Sequence, residues 1–213
     1  MPTKSTSTGR QANKRAEIFE AAVALFLEHG YDATSMRDIA SAVGVMPASI
    51  YYHYPSKEEL LIDVVTDGAR LLDESVVAAL ADETDPWARL ERACAAHLTT
   101  LLHGPAVVRV LYVELQRRRE GRVDEDLLRI RRAYEQRFRD LVDALPLADG
   151  VNRSYLRLTL LGAMAWSPVW YSPTGDDPGQ IGHELVSLLR DGASGRVSGS
   201  GTAGTVTGAP GVS

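Results

Sequence analysis

The chain lacks disulfide partners and long apolar runs. It has one cysteine in 213 residues, so Cys94 cannot form an internal disulfide, which favours a reducing compartment and a buried, inert thiol. No apolar run approaches the roughly 18 residues that a membrane-spanning helix needs, and the N-terminus is polar rather than signal-like. These absences predict a cytoplasmic protein with no membrane partner.

Signatures of enzymes and of closed metal sites are also missing. The five histidines accompany no nucleophile and base motif, no phosphate-binding glycine loop and no paired catalytic carboxylates. Cys94 and His97 lie three residues apart on a predicted helix, but two ligands do not complete a tetrahedral metal site. The sequence therefore predicts no catalytic residue, no metal ligand and no cofactor.

Positive charge is concentrated at the N-terminus, although the net charge of the chain is −5. Residues 1–15 contain lysines and arginines but no acid. We predict a disordered basic arm over residues 1–11 that neutralises phosphates or enters a minor groove; an unstructured solubilising tail is the alternative. The cations predicted to contact DNA from this region are Arg10, Lys14 and Arg15.

The segment 34–60 has the pattern of two short helices joined by a tight turn. Ser35 followed three residues later by Asp38 marks the start of the first helix. Gly44 permits the left-handed backbone that ends this helix, and Pro47 suits the first turn of the next. A helix, a glycine-containing turn and a second helix form the helix-turn-helix pattern of DNA-binding proteins.

The second short helix is predicted to run from near Met46 or Pro47 to Tyr54, about 12 Å, which is comparable to the width of a major groove. Ile50 and Tyr54 should pack inward because they lie four residues apart. The helix contains no Lys or Arg, so base recognition would depend on hydroxyl groups and on apolar contacts with thymine methyls. Whether the tyrosines contact bases or phosphates stays open. The predicted DNA-contacting residues are Arg37, Met46, Pro47, Ala48, Ser49, Tyr51, Tyr52, His53 and Lys57.

These motifs resemble the N-terminal signature of the TetR family of transcriptional regulators. The matching positions are Ile18, Ala21, Ala22, Leu25, Phe26, Gly30, Tyr31, Thr34, Ile39, Ala40, Gly44, Val45, Ile50, Tyr51, Tyr54, Lys57 and Leu60. Where relatives often have Ser-Lys-Gly-Thr, this chain reads Met-Pro-Ala-Ser at 46–49. The resemblance implies an all-α fold, with a three-helix helix-turn-helix DNA-binding domain over 12–55 joined to a helical ligand-binding and dimerisation domain over 56–191.

The rest of the chain has further helical patterns and no strand pattern. We predict a first helix over 12–29 and a domain-joining helix that begins at the capping pair Ser56 and Glu59 and runs to about Ala81. The remaining predicted helices span 87–103, 107–119, 123–145, 153–170 and 178–190. By resemblance, the last two form a four-helix dimer interface with their symmetry mates; an ordinary intramolecular core is the alternative. Residues 192–213, rich in Gly, Ser and Thr, are predicted to be disordered.

Two features bear on the small molecule that this domain would bind. Ten arginines lie within 109–139, where they suit either the phosphates of a coenzyme A thioester or a salt-bridged surface with the interleaved acids. The segment 163–171 resembles regulators that respond to acyl-CoA intermediates, although aromatic residues there also suit a core. The predicted ligand-binding residues are Trp87, Tyr112, Leu115, Met164 and Trp166.

The sequence thus predicts a homodimeric repressor that binds double-stranded DNA. Two recognition helices spaced by one DNA turn, about 34 Å, would read a palindromic operator. A small apolar or acyl-CoA-type effector would release the protein from it. A multidrug-type or metal-responsive regulator of the same fold is the alternative, and a helical enzyme that does not bind DNA is a third.

Overall fold

The computed structural model describes residues 5–117 and 122–192, and these residues form nine α-helices and no strand. The helices are α1 (Ser5–His29), α2 (Met36–Val43), α3 (Pro47–His53), α4 (Lys57–Ala79), α5 (Pro86–His103), α6 (Ala106–Gln116), α7 (Arg122–Asp143), α8 (Arg153–Trp170) and α9 (Pro178–Asp191). The predicted all-α fold, with an N-terminal helix-turn-helix domain and a C-terminal helical domain, is confirmed.

The residues that predict the helix ends form capping hydrogen bonds or turns in the structure. Ser35 Oγ accepts a hydrogen bond from the Asp38 amide at 3.2 Å, and Asp38 Oδ2 accepts one from the Ser35 amide at 2.8 Å. The Ser35 hydroxyl also donates to Asp38 Oδ2 at 2.7 Å, and this bond, followed by the bond from the Ser35 amide, lowers the pKa of the Asp38 carboxyl. Gly44 adopts the left-handed conformation with φ 68° and ends α2. At the start of α4, Ser56 Oγ accepts from the Glu59 amide at 3.2 Å.

The hydrophobic core of the first three helices continues into α4 and α6. This first core includes Ile18 of α1, Ile39 of α2, Ile50 of α3, Val64 of α4 and Leu111 of α6, none of them more than 3% exposed. Burying a side chain of this size contributes about 2 kcal/mol to stability. The DNA-binding and regulatory domains therefore share buried side chains.

A second core lies among α5, α7, α8 and α9. It includes Leu90, Phe138, Leu160, Met164 and Ile181. Cys94 also belongs to it and is fully buried, as predicted, and this burial raises the pKa of the thiol.

Two glycines permit close contacts between helices of these cores. A Cβ atom at Gly68 of α4 would lie 2.8 Å from the carbonyl oxygen of Val107, and one at Gly182 of α9 would lie 2.7 Å from the amide nitrogen of Ala95. Both separations are shorter than a normal van der Waals contact. The contacts of α4 with α6 and of α9 with α5 therefore need glycine.

The start of α1 differs from the prediction. The helix begins at Ser5 rather than near Ala12, so residues 5–11 of the predicted disordered arm are helical. No proline interrupts the backbone hydrogen bonds there, and the glycine at position 9 costs only about 1 kcal/mol in a helix. Residues 1–4, the predicted end of α6 at 118–119 and the predicted disordered tail from 193 onward lie outside the described residues.

Taken singly, the helices of residues 5–117 and 122–192 lack the character of a membrane span. No single helix there is both long and apolar enough to cross a bilayer; α5 and α6 reach that length and composition only together, and they are bent by 101° at the break between them.

Candidate DNA interface and ligand cavity

The recognition helix α3 presents most of the predicted DNA-contacting side chains to solvent. Ile50 and Tyr54 are buried, as their spacing predicted. The exposed residues of this surface are Met46, Ala48, Ser49, Tyr51 and Tyr52, and the half-buried ones are Pro47 and His53. Tyr52, at 72% exposed, is held at its hydroxyl by a 3.3 Å hydrogen bond from Gln11 Nε2 of α1. This contact of α1 with the recognition helix was not predicted.

The basic residues of this region differ in how many of their N–H donors are available to bind phosphates. Arg37 on α2 is exposed and has no ion-pair partner in the described part of the chain. Lys57 donates to the carbonyl oxygens of Tyr31 at 2.9 Å and Thr34 at 2.8 Å, and its ammonium lies 4.2 Å from the centre of the Tyr31 ring. Two of its three N–H donors thus hold the turn between α1 and α2, which leaves one for a phosphate.

The predicted cations of the arm are also engaged within the protein. Lys14 forms an ion pair with Glu17 on the next turn of α1. Arg15 donates to the Tyr54 hydroxyl at 3.2 Å and to Asp63 at 3.1 Å. The backbone of Arg10 belongs to α1, but its side chain lies outside the described part. Lys14 and Arg15 are thus paired within the protein, and the contact of the arm with DNA stays a prediction.

Tyr54 connects α1, α3 and α4. Its hydroxyl donates to Asp63 of α4 at 2.8 Å while it accepts from Arg15 of α1. Burial raises the pKa of Tyr54 to about 12, so the phenol keeps its proton at neutral pH. The end of the recognition helix is thus bonded to the start of the helix that joins the two domains.

A cavity of about 510 Å³ lies in the regulatory domain. Its lining comes from α4, α5, α6, α7 and α8 and is largely apolar. The lining residues are Ala69, Leu72, His97, Leu101, Val108, Leu111, Tyr112, Leu115, Gln116, Ile130, Arg131, Tyr134, Glu135, Leu158, Leu161, Gly162, Ala165 and Trp166. Its volume is within the usual range of small-molecule sites, about 300–1,000 Å³.

Three of the five predicted ligand-binding residues line this cavity: Tyr112, Leu115 and Trp166. Trp87 does not, because it lies in the first turn of α5, about 15 Å along the helix from His97, where it packs on the second core under Arg190. Met164 does not either, because it continues the inward stripe of Leu156 and Leu160 on the other side of α8.

The cavity contains polar groups that sequence reasoning did not assign to it. His97 Nδ1 lies 2.7 Å from the Tyr134 hydroxyl. Burial lowers the pKa of His97 to about 4 and raises that of Tyr134 well above its usual value. Arg131 Nε donates to Glu135 at 2.6 Å, so the two charged lining residues pair with each other. The four-residue spacing of Arg131 and Glu135 was a detectable signal, whereas nothing local relates His97 to Tyr134.

Two family models match the chain. The first, described as bacterial regulatory proteins of the tetR family, matches residues 18–64. The second, described as the tetracyclin repressor-like C-terminal domain, matches residues 83–193. The chain belongs to the TetR family. It is accordingly a DNA-binding transcriptional regulator and not an enzyme.

Relatives of this TetR-family regulator include named repressors. It is 28% identical over 189 residues to the transcriptional repressor KstR2 of Mycolicibacterium smegmatis. This match covers 85% of this chain and 91% of that protein. The solved complex of AibR with isovaleryl coenzyme A and operator DNA has a TM-score of 0.72 and 24% identity, over 83% of this chain and 97% of that one. The solved structure of the ketosteroid transcriptional regulator KstR2 of Mycobacterium tuberculosis has a TM-score of 0.66 and 23% identity. The match covers 82% of this chain and 92% of that one. At these identities the two structures show a shared fold.

One ion pair joins the end of α6, beside the cavity of this TetR-family regulator, to its helix-turn-helix domain. Arg117 directly follows α6, whose last turns contribute Leu115 and Gln116 to the cavity. Its guanidinium donates to Asp32, between α1 and α2, at 2.8 Å. A shift of α6 would therefore act on the helix-turn-helix directly.

Other arginines of the rich segment 109–139 form ion pairs as well. Arg129 pairs with Asp126 and Arg137 with Asp73. Together with Arg117 and Arg131 they support a salt-bridged surface in the described part of this segment. No group of three or more metal-binding side chains is found within residues 5–117 and 122–192.

Proposed function

We propose that this protein is a homodimeric repressor that is released from a palindromic operator by a small apolar or acyl-CoA-type ligand. The observation that carries the proposal is the position of the cavity. Its walls include Leu72 of α4 and Leu111 of α6, and both side chains belong to the core that continues into the DNA-binding domain. A ligand that spreads these helices would change the position of the recognition helix.

The lining supports an apolar ligand or an apolar acyl group. Most lining side chains are aliphatic or aromatic, and the charged pair Arg131 and Glu135 is internally neutralised. The structural relative AibR was solved with isovaleryl coenzyme A, which supports a thioester with its acyl group in the cavity. The repressor names of the relatives support negative control of transcription.

The exposed face of α8 supports dimerisation. Apolar side chains are exposed along this helix at helical spacing, and we call this set the α8 stripe: Tyr155, Leu158, Trp166, Val169 and Trp170. A Cβ at Gly162, in the middle of the stripe, would meet open space. On α9, by contrast, Ile181 is buried in the second core, while Leu188 is 56% exposed. A second copy packed on the α8 stripe would remove this apolar surface from water.

The test is operator binding with and without ligand. Fluorescence anisotropy would follow binding to DNA from upstream of the protein's own gene during titration with isovaleryl-CoA and decanoyl-CoA. We expect the effective thioester to weaken binding by roughly 5- to 150-fold, the usual range of allosteric coupling. Free coenzyme A is the control. Equal effects of free coenzyme A and the thioesters, or release by neither thioester, would contradict the proposed acyl recognition.

The route of release is tested with Arg117→Ala. Loss of its bond to Asp32 should reduce ligand-induced release while ligand affinity in the absence of DNA stays within about twofold, because exposed ion pairs contribute only about 0.2–1 kcal/mol. Arg129→Ala, which removes an ion pair within α7, is the matched control. Release by the Arg117 variant equal to that of the control would exclude this route.

A further inference from the structure

We infer that His97, oriented by Tyr134, donates a hydrogen bond from Nε2 to a neutral oxygen of the effector, so that the cavity selects an apolar molecule with a carbonyl or hydroxyl group at the position that faces this imidazole. This inference rests on the proposed ligand-responsive function and specifies the chemistry of its ligand.

The imidazole is a buried polar group with one nitrogen left for a ligand. His97 is 8% exposed and lines the cavity, as does Tyr134. Nδ1 is bonded to the Tyr134 hydroxyl at 2.7 Å, whereas Nε2 has no hydrogen-bond partner among residues 5–117 and 122–192. A ligand oxygen would satisfy this nitrogen.

The protonation state makes Nε2 a donor. Burial lowers the pKa of His97 to about 4, so the ring is neutral at neutral pH and carries one N–H. Burial also keeps the proton on the Tyr134 phenol. A phenol is a better donor and a poorer acceptor than a neutral imidazole, so Tyr134 donates to Nδ1 and the ring proton lies on Nε2.

The ring is also fixed in place. Phe138 packs against it edge-on, with ring centroids 5.9 Å apart, and the Tyr134 ring lies 5.8 Å away on the same helix α7. A donor held in this way gives geometric selectivity, because it loses little conformational freedom when a ligand binds.

The rest of the lining favours a neutral oxygen over an ionised one. The cations and anions that line the cavity are Arg131 and Glu135, which pair with each other, and Arg157 also contacts Glu135 at 3.5 Å. A carboxylate placed beside His97 would lose its hydration without gaining a free cation from these residues. A ketone, ester, thioester or alcohol oxygen has a much smaller desolvation cost.

A second His–Tyr pair in the chain provides a matched control. His103 Nε2 lies 2.6 Å from the Tyr171 hydroxyl, and neither residue lines the cavity. The same substitution at His97 and at His103 therefore removes the same type of hydrogen bond, inside and outside the cavity.

The experiment uses two planar probes of nearly equal shape, 9-fluorenone and fluorene, which differ by one carbonyl group. Isothermal titration of wild type, His97→Phe and His103→Phe gives the ratio of the two affinities for each protein. We expect His97→Phe to lower the fluorenone-to-fluorene ratio by about 5- to 10-fold, the value of one net hydrogen bond, with fluorene affinity within about twofold of wild type. His103→Phe should keep the wild-type ratio.

Nitrogen-15 NMR of the wild-type imidazole gives an independent measurement. We expect a proton on Nε2, and a shift of the Nε2 signal with fluorenone but not with fluorene. A proton on Nδ1, or an unchanged ratio in His97→Phe, would overturn the inference.

The outcomes separate this inference from the proposed function. If both probes bind but all three proteins show the same ratio, His97 has no such role and the cavity is still a ligand site. If neither probe binds the wild type, the cavity is not an apolar ligand site and both proposals fail. If fluorenone binds through His97 but operator affinity does not change, only ligand-induced release is contradicted.

Discussion

At the scale of single residues, the exposed surface of α3, which is predicted to contact DNA, presents hydroxyl, imidazole and apolar groups but no Lys or Arg. Electrostatic attraction to phosphate must come from neighbouring elements. Among them Arg37 is exposed and without an acidic partner in the described part of the chain, whereas Arg15 and Lys57 are held by internal bonds. Base selectivity should therefore depend on Ser49 and the two exposed tyrosines.

Replacing Tyr52 by Ala should lower operator affinity by about 1–3 kcal/mol if its hydroxyl contacts a base. The same variant should lose little affinity for random DNA of equal length, because non-specific binding depends on phosphate contacts. Anisotropy titrations on both DNAs measure the difference. Equal losses on the two would assign Tyr52 to a phosphate instead.

The buried His97 predicts a pH dependence of stability. Its pKa is about 4 when folded and about 6.5 when unfolded, so the unfolded state binds more protons between these values and stability falls as pH falls through this window. From pH 7.5 to 5 this histidine should cost about 2 kcal/mol. Urea unfolding at both pH values should show a smaller loss for His97→Phe than for wild type. A loss as large in the variant as in wild type would contradict the low pKa.

At the scale of elements, the close contact between α4 and α6 links the walls of the cavity to the first core. Gly68 lies where α4 meets the backbone of Val107, and both helices contribute side chains to the first core and to the cavity. The packing of the first core and the shape of the cavity therefore both depend on the distance between α4 and α6.

Substituting Gly68 by Ala should lower the free energy of unfolding by about 1–3 kcal/mol, the usual cost of overpacking, despite the higher helix propensity of alanine. Thr66→Ala is the matched control, because Thr66 is exposed on the same helix α4 and alanine there should stabilise the helix by about 0.5 kcal/mol. Chemical denaturation of both variants measures the contrast. A stabilised Gly68 variant would show that α4 and α6 separate easily.

At the scale of the whole molecule, the α8 stripe exposes large apolar side chains along one helix of the described part of the chain. Three lining residues of the cavity also belong to this face: Leu158, Gly162 and Trp166. A partner subunit on the stripe would therefore lie beside the cavity as well, and dimerisation and ligand binding should influence each other.

Val169→Glu should convert the proposed dimer to a monomer, because it places a charge in the α8 stripe where Val169 is 61% exposed. Sedimentation velocity at micromolar concentration gives the mass. Val77→Glu, on α4 at 45% exposure, is the control and should stay dimeric. A monomeric wild type would rule out the proposed dimer, and an unaffected Val169 variant would place the interface elsewhere.

The positions of the helices followed from local signals. Ser35 with Asp38, Gly44 and Pro47 predicted the ends of α2 and α3, because caps and left-handed turns depend on residues within one helical turn. The apolar spacing likewise placed Ile50 in the core. The start of α1 was missed because the basic composition before residue 12 indicates disorder, while nothing in it stops a helix.

The candidate site was less predictable because its contacts are distant in sequence. Lys57 bonds to Thr34 across 23 residues and Arg15 to Asp63 across 48, so the sequence alone predicts both cations as phosphate contacts. His97 reaches Tyr134 across 37 residues. Trp87 was predicted to line the cavity on its aromatic character alone.

By itself, the sequence determined the secondary structure, the helix-turn-helix and the family, because these depend on short-range caps, glycine turns and apolar spacing. The tertiary structure alone decided which arginines and lysines are neutralised, which side chains surround the cavity and how α6 reaches the DNA-binding domain. Those features depend on the packing of five helices against one another, and that packing follows from the summed shape of many side chains.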